Sequence, residues 1–326
     1  MKKSLLAAVA ALAIVGCTQN EEIEKVGSKA EINFGAVVNN ATRAAIVTND
    51  GFKSFEVFGY KTATKIAADV SLEGFMPGVT VEKQGDNGGW GYTTGPYYWP
   101  LDGFVQFFAT SPSQSLNVAS GYPNFEYTVG TIDKQEDLLA ANLIDKQKGE
   151  NALQMPFCHL LTQVNFSIKG ESDFTYTLTK LELIGLADKG TFTFNGASTA
   201  GTWTTEKLET PTEYIYTGSF DLVSNGTNTV DLDTEHSALF MLLPQTIAAN
   251  AVTVRVTYSA KTTTDGQLTL NGGVKEVSLP AVTWEKGKRV RYTLNLTSDA
   301  TQVTFGEPAW TDWSDSEPQP DPVTPE

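Results

Sequence analysis

The chain has 326 residues, 40% of them hydrophobic and 10% aromatic, and a formal net charge of -15. That much apolar material can bury two cores. The acidic balance argues against nucleic acid as a partner and against direct adhesion to anionic lipid.

The first element is MKKSLLAAVAALAIVGCT, with Lys2 and Lys3 ahead of an apolar run from Leu5 to Val15. It reads as a secretory signal, too short to remain as a bilayer-spanning helix. Its ending, Ile14-Val15-Gly16-Cys17, resembles a bacterial lipobox, so residues 1–16 are the expected signal peptide and Cys17 the lipidated first residue. Acyl chains there contribute about 0.8 kcal/mol per buried methylene, enough for a firm anchor. Residues 17–29 form a polar tether, and Glu21, Glu22 and Glu24 resemble the acidic export signal of surface lipoproteins in the Bacteroidetes. No second apolar stretch approaches a membrane span, so attachment rests on the lipid alone.

Strand-like stretches separated by turn residues follow: FKSFEVFGYK (52–61), GVTVEK, PYYWP, GFVQFFAT and FEYTV, with GDNGG (85–89) a turn. The segment QEDLLAANLID (135–145) suits a helix or a strand. After the polar KQKGENALQ the pattern resumes with LLTQVNFSIK, YTLTKLELIGL, GTFTF, YIYTGSFDLV, SALFMLLP, AVTVRVTYSA, LTLNGGVKEVSLP and KRVRYTLNL. Many short strands at spacings near ten residues predict antiparallel β-sandwiches. We divide them into an N-terminal domain, 30–156, and a C-terminal domain, 157–313. The tail, 314–326, carries four prolines among acidic and small residues and is expected to be disordered, beyond an anchored Trp310 and Trp313.

Catalytic patterns are missing. The two histidines, His159 and His236, lie in no metal or nucleophile motif, and there is no HExxH, GxSxG or phosphate loop. Asp231, Asp233 and Glu235 alternate without calcium-loop spacing and suit a solvated acidic strand face. LLPQTI (242–247) lacks the trailing apolar and basic segment of a sortase signal. Cys158, among apolar neighbours and with Cys17 committed to lipid, reads as a buried inert thiol rather than half of a disulfide. We expect no enzyme activity, no catalytic residue, no metal and no cofactor.

Two features remain. The stretch WGYTTGPYYWP holds Trp90, Tyr97, Tyr98 and Trp99, rings suited either to core packing or to a glycan platform. And nearly the same alternating hexapeptide stands at both ends of the chain: AEINFG at 30–35 and TQVTFG at 301–306. Ile32 and Phe34 match Val303 and Phe305, so the two stretches could fill the same kind of half-buried strand position.

Taken in order, the lipobox, the INF strand, the step Thr42-Arg43-Ala44, YYWP followed by FFA, PFCHLLTQVNFSI, and VTWEKGKRVRYTLNL with QVTF resemble the fimbrillins, the type V pilin superfamily of Bacteroidales. The resemblance implies an all-β fold of two tandem transthyretin-like antiparallel β-sandwich domains. It also implies export to the outer membrane and cell surface as a lipoprotein, then cleavage after an arginine by a trypsin-like protease. The cut frees the first strand, and the C-terminal strand of another subunit fills the groove left behind.

Carried onto this sequence, the cut falls between Arg43 and Ala44. Residues 30–38 are the departing strand within a removable segment 30–43, and 301–306, with Val303 and Phe305, is the candidate donor. The implied partners are other fimbrial subunits in a homo- or hetero-polymer, an arginine-specific processing protease, and a host or bacterial surface ligand, with the membrane reached through the lipid only. Because Trp310, Trp313 and an acidic tail follow the donor, the role of tip or accessory adhesin stands beside that of structural subunit, and WTDW beside TQVTFG as donor. The alternative is a non-polymerising surface lipoprotein that binds glycan through the aromatic cluster. A glycosidase with paired carboxylates is a third reading, but no spacing selects such a pair.

Overall fold

The computed structural model describes residues 30–38, 51–85, 89–149, 151–196, 201–210, 212–232 and 239–313. Their regular structure is almost wholly strand, beside one 3-10 turn at Ile132–Lys134, as the alternating sequence predicts. The expected lipidation site Cys17, the cut at Arg43 and Ala44, the residues Asp233, Glu235 and His236, and the tail 314–326 lie outside the described residues.

The first half contributes β1 (Phe34–Val38), β2 (Ser54–Thr62), β3 (Glu73–Lys83), β4 (Trp90–Tyr92), β5 (Phe104–Ser111), β6 (Asn124–Thr128), β7 (Leu139–Lys146) and β8 (Leu153–His159). Seven of these form one sheet in the order β1-β8-β7-β5-β2-β3-β4. Its pairs are antiparallel except the edge pair β1 and β8, which runs parallel. The ambiguous 135–145 segment resolves as the strand β7, whose Leu139, Ala140 and Ala141 are wholly buried. A helix there would turn part of that run to solvent.

The second half holds β9 (Thr162–Gly170), β10 (Phe174–Ile184), β11 (Lys189–Phe194), β12 (Gly201–Glu206), β13 (Tyr214–Ser224), β14 (Thr229–Asp231), β15 (Phe240–Leu242), β16 (Thr246–Ile247), β17 (Thr253–Thr262), β18 (Leu268–Ser278), β19 (Val282–Thr283), β20 (Lys288–Leu296), β21 (Val303–Phe305) and β22 (Ala309–Asp312). One sheet runs β13-β10-β17-β18. The other runs β14-β9-β20-β21, with β15 also on β9 and β22 also on β20. Strand β17 shows why these sequences choose sheet: Val254, Val256, Tyr258 and Ala260 are buried while the residues between them are not. Such β-branched and aromatic alternation fits a pleat with one face in the core.

The two halves share more than a linker. Strand β6 of the first pairs with β11 of the second in a three-stranded sheet β12-β11-β6. There the rings of Phe125, Phe192 and Trp203 meet at centroid distances of 5.2–6.1 Å. The expected boundary at 156 and 157 falls inside β8, which stays in the first sheet as far as His159. One apolar core runs continuously from Ile32 to Trp313.

Asp231 departs from the sequence expectation of a solvated acidic face. Its Oδ1 accepts a hydrogen bond from the Ser167 hydroxyl at 2.6 Å and lies 3.1 Å from the guanidinium of Arg291, which is buried. A buried cation needs an anionic partner, and Asp231 supplies it while its own side chain stays 35% exposed.

Candidate strand seat and C-terminal edge

Residues 30–38 are laid into the rim of the first sheet with inward and outward side chains in alternation. Ile32, Phe34 and Val38 are 0%, 4% and 1% exposed, whereas Val37 faces outward at 45%. Burying each such side chain is worth about 1.5–3 kcal/mol. This edge strand is therefore a substantial part of the core it closes.

The seat has two backbone walls. On one side β1 runs parallel to β8 with Phe34 opposite Leu153 and Val38 opposite Phe157, and the Leu153 amide donates to the Asn33 carbonyl at 2.7 Å. On the other side residues 97–99 run antiparallel: the Ile32 amide donates to the Tyr97 carbonyl and the Trp99 amide to the Ala30 carbonyl, both at 2.9 Å. Withdrawing the strand would leave both walls with unmade ladder bonds.

Between the walls lies a ring-lined socket. Phe34 meets Phe107, Tyr92 and Phe55 edge-on, at centroid distances of 5.3, 6.1 and 6.4 Å. These are the T-shaped contacts that aromatic quadrupoles favour. The Tyr92 hydroxyl donates to the Ile32 carbonyl. Burial, reinforced by Glu31 and Tyr97, pushes the Tyr92 phenol up, so it keeps the proton that it donates.

This arrangement places the aromatics considered for glycan contact. Trp90 packs against Phe52 and Phe55 at 5.5 and 5.2 Å, Tyr97 against Tyr92 at 5.7 Å, and Trp99 edge-on to Phe107 at 6.1 Å. Of the four, only Tyr98 is exposed; Trp99 is buried and the other two are partly so. Most of the cluster thus backs the N-terminal strand. The Gly-Pro spacing within WGYTTGPYYWP offered no sign of that, because the strand it braces lies some sixty residues away in sequence.

At the other end of the chain, the expected donor Val303 and Phe305 form β21, antiparallel to β20 with Val303 opposite Leu296 and Phe305 opposite Leu294. After Gly306-Glu307-Pro308 the chain returns to the same edge as β22, with Trp310 opposite Val290. Val303 is buried, Phe305 is half-buried against Tyr292 at 5.6 Å, and Trp310 is 40% exposed. Trp313 ends the edge fully buried: its amide donates to the Gly287 carbonyl at 3.1 Å and its ring stacks on His159. Sequence reading expected both Trp310 and Trp313 to be anchored; the Trp310 side chain is exposed instead, and the partner of Trp313 was not foreseen, because His159 sits at the end of β8 in the other half.

His159 is itself buried and its Nδ1 lies 2.9 Å from Asp137 Oδ1, a structural hydrogen bond of the kind expected for a histidine in an apolar strand. Next to it, the Cys158 thiol is pushed up by burial, an effect that nearby Lys286 only partly offsets. Its Sγ approaches the Ala140 carbonyl at 3.5 Å. No cluster among the described residues could hold a metal ion.

Comparison with known proteins agrees with this architecture. The model of a family described as fimbrillin-like matches residues 42–313. Fimbrium subunit Fim1C of Phocaeicola vulgatus is 26% identical over 375 residues, an alignment covering 97% of this chain and 98% of the relative. The crystal structure of a fimbrial protein from Bacteroides vulgatus superposes with a TM-score of 0.65 at 24% identity, covering 86% of this chain and 99% of that one. With the match running through both halves and up to Trp313, this chain belongs to the fimbrillin-like family.

Proposed function

We propose that the protein is a subunit of a surface fimbria, structural or as a tip or accessory adhesin, carried to the outer membrane on a Cys17 lipid and primed by cleavage after Arg43. The cut severs the only covalent link between the strand at 30–38 and the domain it completes. The strand then leaves, and the C-terminal strand of another subunit takes its place. Because the donor and the acceptor are different strands in different sheets, the contact is head-to-tail and grows a filament instead of closing into a dimer.

The observation that carries this reading is the burial of Ile32, Phe34 and Val38 in a strand at the sheet edge, a few residues before Arg43. An edge strand held by backbone ladders and apolar side chains is the sort of element that a strand of matching alternation can replace. The acceptor's need for such a strand supplies the driving force.

The experiment is an Arg43→Ala variant beside the unaltered chain, both displayed on cells with the processing protease. The unaltered chain should yield a terminus at Ala44 and high-mass oligomers; the variant should remain full-length and monomeric at the membrane. Equal polymer yield from the two would end the proposal.

A further inference from the structure

The turn at 100–103 presents Leu101 to solvent as fully as an extended peptide would, at 107% exposure. The turn itself is held fast. Asp102 pairs with Lys61 at 2.9 Å, and the Gln147 side-chain amide donates to the Gly103 carbonyl at 3.3 Å. Gly103 has a φ of +77°, and a Cβ there would meet the Thr62 carbonyl oxygen at 2.5 Å, so this position requires glycine. A single exposed leucine is ordinary on a protein surface. This one stands where the tether enters.

Residues 30–32 run antiparallel to residues 97–99, with Glu31 opposite Tyr98 and the Trp99 amide on the Ala30 carbonyl. In that pairing Ala30 is the end nearest Leu101, so the chain before it enters the domain at the Leu101 end. Extended in full, residues 17–29 span at most about 45 Å. A lipid on Cys17 therefore keeps this pole of the first sheet close to the bilayer.

The same pole gathers lysines. Val105 of β5 stands opposite Lys61 of β2 on one side and Lys146 of β7 on the other. Lys65 and Lys148 follow just beyond those two strands, and the Ile66 amide donates to Asp145 Oδ1 at 2.8 Å, which brings the two segments together. Asp145 is turned to that amide and to Gln106, while Lys61 serves Asp102 and, less closely, Glu73. Lys65, Lys146 and Lys148 keep no carboxylate partner among the described residues.

We infer that this pole is a membrane-docking surface: Leu101 enters the apolar boundary of the phospholipid bilayer that carries the Cys17 lipid, and Lys65, Lys146 and Lys148 meet the headgroup phosphates. This rests on the lipid anchor proposed above and departs from the expectation of attachment through the lipid only. The lipid supplies the attachment and the docked pole the orientation. The net charge of -15 does not oppose the contact. Headgroup phosphates repel the acidic remainder of the molecule, so the pole that offers lysines is the one that turns to them. Docking thereby fixes which end of the first sheet faces the membrane while the tether is uncut.

The test uses the full lipidated chain carrying Cys158→Ala and Thr64→Cys, with a fluorophore on residue 64, in vesicles of phosphatidylcholine and phosphatidylglycerol that contain a nitroxide-headgroup lipid. A second chain carries the label through Leu268→Cys, in the other half. The expected result is strong quenching at 64 and none at 268. Leu101→Ser, and separately Lys65→Glu with Lys146→Glu and Lys148→Glu, should each remove most of the quenching at 64. Sodium chloride at about 1 M, where the screening length is about 3 Å, should act as the lysine changes do. The altered side chains are exposed or half-buried, and the circular dichroism of each variant should match that of the unaltered chain.

Quenching at 64 that survives both sets of changes would overturn docking, since the reach of the tether would then explain it. A chain that floats with the vesicles, yet is as unquenched at 64 as at 268, overturns it too and leaves the lipid anchor standing. If the chain does not float, the anchor reading falls and this inference with it. Shielding of residue 64 on oligomerisation without vesicles would assign the surface to another subunit and overturn the membrane as its occupant.

Discussion

Trp313 lies flat on His159, with ring centroids 4.3 Å apart and planes 5° from parallel. The contact pins the end of the C-terminal edge strand to the end of β8, so the tail of the second half is fastened to the last strand of the first sheet. Between Phe305 and Trp313 the strand is half-buried or exposed throughout. Trp313 and Val303 are the two ends by which it is held.

Removing the first of those ends gives the first prediction. Trp313→Ala should cost about 3–5 kcal/mol, the range for deleting a buried tryptophan. In hydrogen exchange the amides of β22 should lose protection before those of β20. Unchanged protection across Ala309–Asp312 would show that β22 is held by its ladder alone.

Phe34→Ala empties the socket formed by Phe55, Tyr92 and Phe107. A loss of about 3–5 kcal/mol is expected from the transfer and cavity terms together. The matching Phe305→Ala, made where the ring is half-buried, should cost the isolated subunit much less. Denaturant midpoints of the two variants at equal m-value decide the comparison.

Tyr92→Phe keeps the ring and deletes the hydroxyl that serves the Ile32 carbonyl. About 1–2 kcal/mol should be lost, chiefly because the carbonyl is left without that partner. Protease sensitivity near residues 30–38 should rise. A stability equal to that of the unaltered chain would mean that another group takes the hydroxyl's place.

Alkaline unfolding follows from the buried phenols. Burial pushes Tyr60, Tyr127, Tyr176 and Tyr292 from the ordinary 10.0 up to about 12. Above the unfolded value the unfolded chain has released protons that the folded one retains, so stability must fall with rising pH. The contribution is complete below about pH 10 and is lost as pH climbs through the folded values near 12. The tyrosinate absorbance contributed by these four rings should therefore appear together with loss of β-sheet circular dichroism, rather than ahead of it.

Cys158 should be slow toward thiol reagents in the native state, since burial holds it as the thiol. Its labelling at mildly alkaline pH should speed up sharply in denaturant. Rapid labelling of the folded chain would instead make it an accessible nucleophile.

How much of this the sequence disclosed depends on the range of the interaction. Alternation is local, so the all-β fold, the N-terminal strand with Ile32 and Phe34 inward, and the strand at Val303 and Phe305 could be read directly. The segment around Leu139 stayed ambiguous because a fully buried strand loses its period-2 signal and looks like a buried helix. Pairings between distant segments were not legible: Tyr92 with Ile32, Trp313 with His159, Asp231 with Arg291. The same holds for β6, whose partner β11 lies in the other half. Each depends on which chain segments the sheets bring side by side, and no local pattern encodes that.

The central claim is that a strand leaves the Phe34 socket and another copy's strand enters it. Limited trypsin digestion of the folded protein, with N-terminal sequencing of the product and an unheated gel, tests it most directly. The account predicts a single new terminus at Ala44 together with a ladder of oligomers, and loss of that ladder when residues 301–326 are deleted. Cleavage at Arg43 that leaves only monomer would contradict it.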